Sequence, residues 1–429
     1  MKNKSTWRIV FVGQTKNSRR LIRVTALGLF ALTGAALAQQ VIAPPPSTVS
    51  VTPPAITALG PSEMQVFPPD SAMASVLDEL HPLKWGPVIL RPHASYQFTY
   101  GTGIRSSTNQ PPANTIIQSF APGILFVVGT HWTLDYTPTF TFYSDKHLKN
   151  SVGQSVILTG GTAYGDWILG FSQSFTYSSS PQIQTGTQSA QQIFSTVLTA
   201  SYQINSKFST DLAVYQNLSY TSGFQDTRQW STMDWLNYQV GSRLSFGAGA
   251  GFGYVSATPD SLFEQLQGRV NWRATDKISF GINGGAEFTQ FTDGGAAPLI
   301  NPIFSGSIQY LPWDYTQISI GASRAVNTSY YQNQITEITS VNGGINQRLF
   351  KRFHLNVNGA YNWTTYVAAA SGATINNPSH YYSVNVQLNT SVFKRGSVGV
   401  FYNYSQNVTD QAGLGYSSNQ VGFNIGYAF

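Results

Sequence analysis

Apolar and polar residues alternate with a period of two from residue 88 to the carboxyl terminus. In the last segment, Val421, Phe423, Ile425, Tyr427 and Phe429 alternate with small or polar residues. This period places the apolar set on one face of a β-strand and the polar set on the other. Eighteen segments of about 10–14 residues follow this pattern, a length that suits tilted strands crossing a membrane. They begin near residues 88, 115, 131, 151, 166, 192, 208, 229, 243, 262, 277, 302, 315, 334, 353, 380, 397 and 418.

The connections between these segments alternate in length along the whole chain. The short ones lie at 129–131, 164–165, 205–207, 241–242, 274–276, 312–314, 350–352 and 394–396, and the longer ones near 101–114, 143–151, 178–191, 221–228, 256–261, 290–301, 327–333, 367–379 and 406–417. Short periplasmic turns and longer external loops are typical of outer-membrane barrels. The sequence therefore predicts an all-β fold, a transmembrane antiparallel up-and-down β-barrel of about 18 strands over residues 88–429. Both barrel termini would be periplasmic.

Composition supports a membrane barrel. Only 10% of the residues are charged, 14% are aromatic and none is Cys, whereas soluble domains carry about 25% charged residues. The one long apolar run lies near residues 24–38, so strands rather than helices would contact the outer-membrane lipid. Six of the nine tryptophans lie near the predicted strand ends, where interfacial girdles form. They are Trp132, Trp167, Trp272 and Trp313 near short turns, and Trp230 and Trp363 nearer the longer loops.

The net charge of +6 comes from the first segment of the chain. Residues 1–38 hold seven of the 24 basic residues and no acidic residue, so the remainder has 17 basic and 18 acidic residues. The basic start, the apolar stretch Val24–Thr33 and the small residues Ala36 and Ala38 predict a signal peptide over residues 1–38. Without that segment the chain is nearly neutral, so a nucleic-acid partner is not expected.

Residues 39–87 are rich in proline and predict an extended periplasmic lead. Asp70 to Leu80 has the pattern of a short helix, with Met73, Val76 and Leu77 on its apolar stripe. Two interpretations of this lead stay open. It is either a plug or docking element, or a plain tether to the barrel.

Several segments resemble those of a known family. They are 91–98, 129–138, 160–167, 230–238 and 266–277, and they look like segments of outer-membrane β-barrel porins from Verrucomicrobia-type bacteria. The resemblance covers roughly residues 81–290 and implies an outer-membrane location in a Gram-negative bacterium, with no catalytic residues. The last strand also resembles the signal that the barrel-assembly machinery recognises, in which Phe423, Tyr427 and Phe429 would take part.

The polar residues at alternate positions of each strand would face the lumen. They are mostly amides, and the residues expected to line a pore are Gln97, Asp135, Asn217, Gln267, Arg269, Asn271, Asn283, Glu287, Asn342, Asn346, Asn356, Asn358, Asn362, Asn385, Gln387, Asn389, Asn403 and Asn424. A barrel of this size leaves an aqueous channel unless it is plugged. A neutral hydrogen-bonding wall creates little field to select ions. The pattern favours passive diffusion of small, mainly neutral hydrophilic solutes such as saccharides.

Three local features carry more specific expectations. Arg269 and Glu287 lie on neighbouring strands and could pair across the lumen wall. Asp234 or Trp235 would face the wrong side unless a bulge restores the parity. The inward glycines of residues 247–253 clear space on one wall, either for an inserted element or for neighbouring aromatic rings.

The sequence gives little support for catalysis or metal binding. Asp145 with His147 and Ser379 with His380 are the candidates for loop catalysis, and the six scattered histidines show no metal-ligand spacing. No enzyme activity, metal or cofactor is therefore expected. The alternative function is a conduit or anchoring component of an envelope or exopolysaccharide export assembly. Homo-oligomerisation stays open.

Overall fold

The structure is a computed structural model that describes residues 83–182, 187–293, 295–393 and 395–428. The predicted signal peptide, the predicted helix at Asp70 to Leu80 and the terminal Phe429 lie outside the described residues. In the part of the chain that is described, no helix is long and apolar enough to cross a membrane.

The described residues form one antiparallel sheet. Its strands are β1 (Leu83–Trp85), β2 (Val88–Ile104), β3 (Ala113–Val128), β4 (Trp132–Tyr143), β5 (Ser151–Tyr164), β6 (Trp167–Pro181), β7 (Gln188–Gln203), β8 (Phe208–Thr221), β9 (Thr227–Gly241), β10 (Leu244–Ser256), β11 (Ser261–Arg273), β12 (Ile278–Phe291), β13 (Leu299–Trp313), β14 (Thr316–Thr328), β15 (Gln334–Leu349), β16 (Phe353–Ala368), β17 (Ser379–Val392), β18 (Gly396–Thr409) and β19 (Tyr416–Ala428). Each strand from β2 onward pairs with its neighbours along the chain.

The sheet closes on itself between its first and last long strands. β19 pairs antiparallel with β2 from Asn419 opposite Thr102 to Ala428 opposite His93. The result is a ring of eighteen strands, β2–β19, so the predicted fold class and strand number are confirmed. Closure satisfies the backbone hydrogen-bonding groups of the strands inside the sheet, which a barrel in lipid requires.

The extra strand β1 extends the closing seam. It pairs with the start of β2, with Leu83 opposite Leu90 and Trp85 opposite Val88. At these positions β3 occupies one side of β2, and the described part of β19 reaches only to the level of His93. β1 therefore covers the edge of β2 that β19 leaves free. Its residues lie within the predicted proline-rich lead.

The two ends of the barrel differ in the length of their connections. The short-turn end has connections of two to four residues, such as 165–166 and 242–243, whereas the long-loop end has connections of four to ten residues, such as 105–112 and 369–378. The strands begin within about four residues of the predicted positions. Several run further into the loops than expected, since backbone pairing continues past the end of the alternating pattern.

The outer face of the ring carries the apolar residues of the alternating pattern. Large exposed side chains such as Phe246, Phe252, Leu266 and Val421 all belong to this face. The predicted bulge near Asp234 is wrong, because β9 pairs in continuous register with both neighbours from Arg228 to Tyr238. Asp234 consequently lies exposed on the outer face, and Trp235 is buried on the inner face.

Trp132, Trp272 and Trp313 are exposed at the short-turn end, and Trp230 and Trp363 are exposed nearer the long loops. Trp230 stacks on Tyr254 with ring centroids 6.2 Å apart. The exposed aromatic side chains therefore form two girdles, as interfacial residues of a membrane barrel do.

The closing seam contains a position that requires glycine. Gly103 has a φ of +75° at a register irregularity of β2, and a Cβ there would overlap the carbonyl oxygen of Ser417 on β19. We expect Gly103→Ala to lower the free energy of unfolding by about 1–3 kcal/mol. Urea unfolding in lipid vesicles measures the change.

The matched control for this prediction is Gly306→Ala on β13. A Cβ at Gly306 would have no neighbour closer than 3.9 Å, so the cost should stay within about 0.5 kcal/mol. Equal effects of the two substitutions would contradict a special role for the seam.

Candidate functional site: the barrel lumen

The eighteen amide and charged residues expected to line a pore share the inner face of the ring. Each lies in a register position opposite other inner-face residues, as when Asn358 pairs with Asn385 and Asn385 with Asn403. Five of the eighteen are buried and expose little surface to a solute. These five are Gln267, Asn283, Glu287, Asn362 and Asn389.

Burial changes along the inner face from one end of the barrel to the other. On β2, Thr99 is buried near the long loops, whereas Arg91 is only half-buried near the short turns. On β15, Thr336 is buried near the long loops, whereas Asn346 is exposed near the short turns. Inner-face side chains are therefore more often buried in the long-loop half than in the short-turn half.

A ladder of amides runs along the inner face of β15–β19. Asn385 donates a hydrogen bond to Asn403, and Gln387 donates one of 3.1 Å to Asn389. Asn356 lies opposite Gln387 in the register of β16 and β17. This amide ladder carries no net charge, and each amide can both donate and accept hydrogen bonds.

A second polar ladder is buried in the long-loop half of β11 and β12. Gln265 donates a hydrogen bond of 2.6 Å to Glu287, and Gln267 donates one of 2.9 Å to Gln265. Asn283 donates one of 2.8 Å to Gln267. The bonds from Gln265 and Thr289 to Glu287 replace water that the buried carboxylate loses, and the other amides hold Gln265 in place.

Arg269 pairs with Asp211, and the expected pairing with Glu287 is wrong. Glu287 lies opposite Gln265 in the register, four residues along β11 from Arg269, and therefore lies out of its reach. The guanidinium instead crosses β10, where its Nη2 binds the carboxylate of Asp211 and its Nε donates a hydrogen bond of 2.9 Å to Asn237. It lies 4.5 Å from the ring centroid of Trp235.

The glycines of β10 make this crossing possible. A Cβ at Gly247 would lie 2.7 Å from both Arg269 Cγ and Asn237 Oδ1, and a Cβ at Gly249 would lie 2.6 Å from the ring of Trp235. The glycines thus form a slot in which large neighbouring side chains lie flat against the wall. Of the two uses expected for this space, packing of neighbouring side chains accounts for these contacts.

A similar arrangement recurs at the closing seam. His93 on β2 crosses β3 over Gly123, where a Cβ would overlap its ring, and its Nε2 lies 3.1 Å from Asp135 Oδ2 on β4. Thr137 donates a hydrogen bond of 2.7 Å to the same carboxylate. Both pairs are therefore held along the wall by their neighbours.

One loop folds over the mouth at the long-loop end. The Tyr330 loop (329–333) joins β14 to β15, yet Gln191 on β7 donates a hydrogen bond of 3.1 Å to the hydroxyl of Tyr330. β7 and β15 face each other in a ring of eighteen strands, so this loop crosses the lumen. Phe224 packs edge-on against both Tyr330 and Tyr331. Burial raises the pKa of Tyr330, so its hydroxyl stays protonated at neutral pH.

Two further loops complete the cover. Arg105 in the first loop (105–112) donates a hydrogen bond of 3.0 Å to the carbonyl of Gly413 in the last loop (410–415). A cavity of about 320 Å³ lies between these two loops and Tyr331. The third long connection is shorter than predicted, because β6 extends to Pro181 and β7 begins at Gln188.

The loop histidines that were candidates for catalysis make local contacts. His147 donates its backbone N–H to Asp145 Oδ1 at 2.7 Å, and this bond lowers the pKa of the Asp145 carboxyl. His380 lies on the outer face, where its ring stacks on Trp363 and its Nδ1 lies 2.8 Å from the hydroxyl of Tyr361. Across the described residues, no group of three His, Cys, Asp or Glu could hold a metal ion.

Sequence reasoning missed the residues that shape the mouth. Tyr330 and Tyr331 lie in a loop without periodicity, and nothing local indicates that they reach β7. The adjacent pair of tyrosines in a polar loop was the one available signal.

The residues of the expected assembly signal lie on the outer face of the last strand. Phe423 stacks on Phe98 of β2 with ring centroids 5.5 Å apart, and Tyr427 is exposed. Phe429 lies outside the described residues. The described part of the signal is thus placed on the outer surface of the closing seam.

Comparison with known proteins gives distant structural similarity alone. No family model and no curated protein matches the chain. OccAB2 from Acinetobacter baumannii is similar over 79% of this chain and 98% of that chain, with 12% identity and a TM-score of 0.44. The outer membrane protein OpdK from Pseudomonas aeruginosa covers the same shares with 10% identity and a TM-score of 0.44. The siderophore receptor PirA from Pseudomonas aeruginosa is similar over 82% of this chain and 81% of that chain, with 10% identity and a TM-score of 0.40.

The architecture itself defines the class of protein. A closed antiparallel ring with an apolar outer face, two aromatic girdles and a polar inner face is a transmembrane β-barrel of the outer-membrane type. The resemblance to the porins of Verrucomicrobia-type bacteria gains no support from the family models, and it stays a hypothesis.

The Arg269–Asp211 pair can be tested by a double-mutant cycle. We expect Arg269→Met and Asp211→Asn to be coupled by about 1–2 kcal/mol in the free energy of unfolding, because both remove one partly buried ion pair. The matched cycle combines Arg269→Met with Glu287→Gln and should show coupling below about 0.5 kcal/mol. Stronger coupling in the second cycle would contradict the observed pairing.

Proposed function

We propose that this protein is an outer-membrane channel for passive diffusion of small, mainly neutral hydrophilic solutes such as saccharides. The amide ladder on the inner face of β15–β19 is the observation that carries the proposal. Its side chains exchange hydrogen bonds with a polar solute without attracting ions. The eighteen inner-face residues named above would form the lining of the path. The five buried members would hold the exposed ones in place and would not contact the solute.

The distribution of charge supports the preference for neutral solutes. Arg269 is neutralised by Asp211, and the carboxylate of Asp135 is contacted by His93 and Thr137. These groups lie along the wall and do not project into the open part of the lumen. These paired groups leave little net field at their part of the wall, while Arg91 and Arg348 lie on the inner face nearer the short turns.

The proposed location is the outer membrane of a Gram-negative bacterium, with lipid around the apolar face. The short-turn end, where β2 begins and β19 ends, would be periplasmic, and the longer loops would be external. The barrel-assembly machinery would bind the last strand through Phe423, Tyr427 and Phe429 during insertion.

The covered mouth gives the alternative function specific support. A barrel closed by the Tyr330 loop could serve as a conduit or anchor of an envelope export assembly that opens on contact with a partner. Conductance in planar bilayers separates the two functions. Steady current through the purified protein supports a diffusion channel, whereas a silent barrel that conducts after a partner is added supports the conduit.

The Tyr330 loop should limit permeation. Tyr330→Ala removes the contacts to Gln191 and Phe224, so we expect neutral saccharides to enter proteoliposomes several times faster in a swelling assay. Tyr382→Ala, which removes an exposed ring from the outer face, is the control and should not change the rate. Equal rates for both variants and the unsubstituted protein would contradict a gating role.

The assembly signal can be tested separately from transport. We expect Phe429→Ala to lower the amount of folded barrel in the outer membrane several-fold, because the assembly machinery would lose the terminal aromatic ring. Quantification of the heat-modifiable folded form in membrane fractions measures this effect. Normal levels would contradict the signal, and conductance of the inserted fraction should remain unchanged.

A further inference from the structure

The outer face carries polar side chains at a similar depth on four adjacent strands. Gln173 on β6, Thr196 on β7 and Gln216 on β8 lie directly opposite one another in the register. Asp234 on β9 lies opposite Leu212, four residues along β8 from Gln216. The hydroxyl of Thr196 lies 2.6 Å from Gln173 Oε1 and 3.0 Å from Gln216 Oε1. We call these four residues the outer polar band.

The outer polar band lies midway between the aromatic girdles. Asp234 is four residues from Trp230 toward the long loops and four residues from Tyr238 toward the short turns. Counted from the short-turn ends of their strands, the four residues are six to eight positions inward. Their side chains would therefore face the hydrocarbon region of a membrane.

At this depth the rest of the described outer face is apolar or consists of Gly and Ala, apart from Arg324. That arginine forms an ion pair with Glu337 on the neighbouring strand. Among the described residues, the carboxyl group of Asp234 has no hydrogen-bond or ion-pair partner, and the amide nitrogen of Gln216 has no hydrogen-bond partner. An ionisable group facing lipid without a partner is unfavourable and indicates a contact made at that position.

We propose that the outer polar band is the interface of a homodimer, in which a second copy of this chain packs against β6–β9 around a two-fold axis along the membrane normal. Such an axis keeps both copies in the same orientation and brings groups of equal depth together. β6 of one copy then faces β9 of the other, and β7 faces β8. This interface goes beyond the proposed transport function and does not depend on it.

Hydrogen-bond complementarity identifies the second copy as the occupant. The amide nitrogen of Gln173 donates one long hydrogen bond of 3.4 Å to the Ser174 carbonyl and keeps a second N–H. Across this axis that second N–H meets the carboxyl group of Asp234 at nearly equal depth. The Thr196 and Gln216 side chains of the two copies meet each other in the centre. Each band thus supplies donors on one side and an acceptor on the other, and a surface of this kind complements its own two-fold image.

The axis would pass between β7 and β8 near Leu198 and Val214, which lie opposite each other and are both exposed. Because the chain contains no cysteine, a single introduced thiol reports on this position. In the purified full-length protein reconstituted in lipid, Val214→Cys with a short bismaleimide should give a covalent species of twice the monomer mass. Val384→Cys, exposed on the opposite wall at a similar depth, is the matched control.

The polar contact is tested by adding Asp234→Leu to Val214→Cys. This substitution places an apolar side chain in lipid, so the barrel should fold normally, and folding is checked by heat-modifiable migration. The yield of cross-linked dimer should fall at least five-fold. Cross-linking of Val214→Cys no greater than that of Val384→Cys would overturn the proposal, as would a predominantly trimeric product. An unchanged dimer yield in the folded Asp234→Leu variant would also overturn it.

Discussion

The closure of the sheet between β19 and β2 is the constraint on which the rest of the structure depends. Without it, two long strands would expose their backbone donors and acceptors to lipid, where no water can satisfy them. Closure at eighteen strands also fixes the width of the ring. It gives each strand one face toward lipid and one toward the lumen, so successive side chains alternate between the two. β1 extends the seam by covering the part of β2 that β19 does not reach.

Within this ring, glycines of the inner face allow long polar side chains to lie along the wall. Arg269 crosses the glycine strand β10 to reach Asp211, and His93 crosses Gly123 to reach Asp135. The charges of Arg269 and Asp211 cancel at the wall, and His93 and Asp135 are held along it. A polar side chain that pointed inward without such a slot would narrow the path and add a local field.

The two halves of the lumen have different character. The amide ladder lines the short-turn half, whereas most of the buried polar residues of the inner face lie in the long-loop half. Contacts such as Gln191 to Tyr330 join strands on opposite sides of the ring. A wall that favours passage of neutral solutes is thus combined with a mouth that restricts it.

The sequence by itself determined the strand number, the approximate strand starts, the two faces and the two kinds of connection. These features depend on a period of two and on local turn length, which a single chain displays directly. The eighteen inner-face residues followed from the same parity. The parity also held at Asp234, where a bulge was expected, because cross-strand pairing on both sides of β9 fixes the register more strongly than one unfavourable side chain disturbs it.

Only the tertiary structure decided which inner-face groups meet. Arg269 pairs with Asp211 across two intervening strands, and the choice depends on the stagger between strands and on the space above Gly247. The path of the Tyr330 loop across the mouth could not be predicted from the sequence either, since it depends on contacts between residues far apart in the chain. Periodicity determines the face on which a side chain lies, but stagger, ring size and loop path determine its partners.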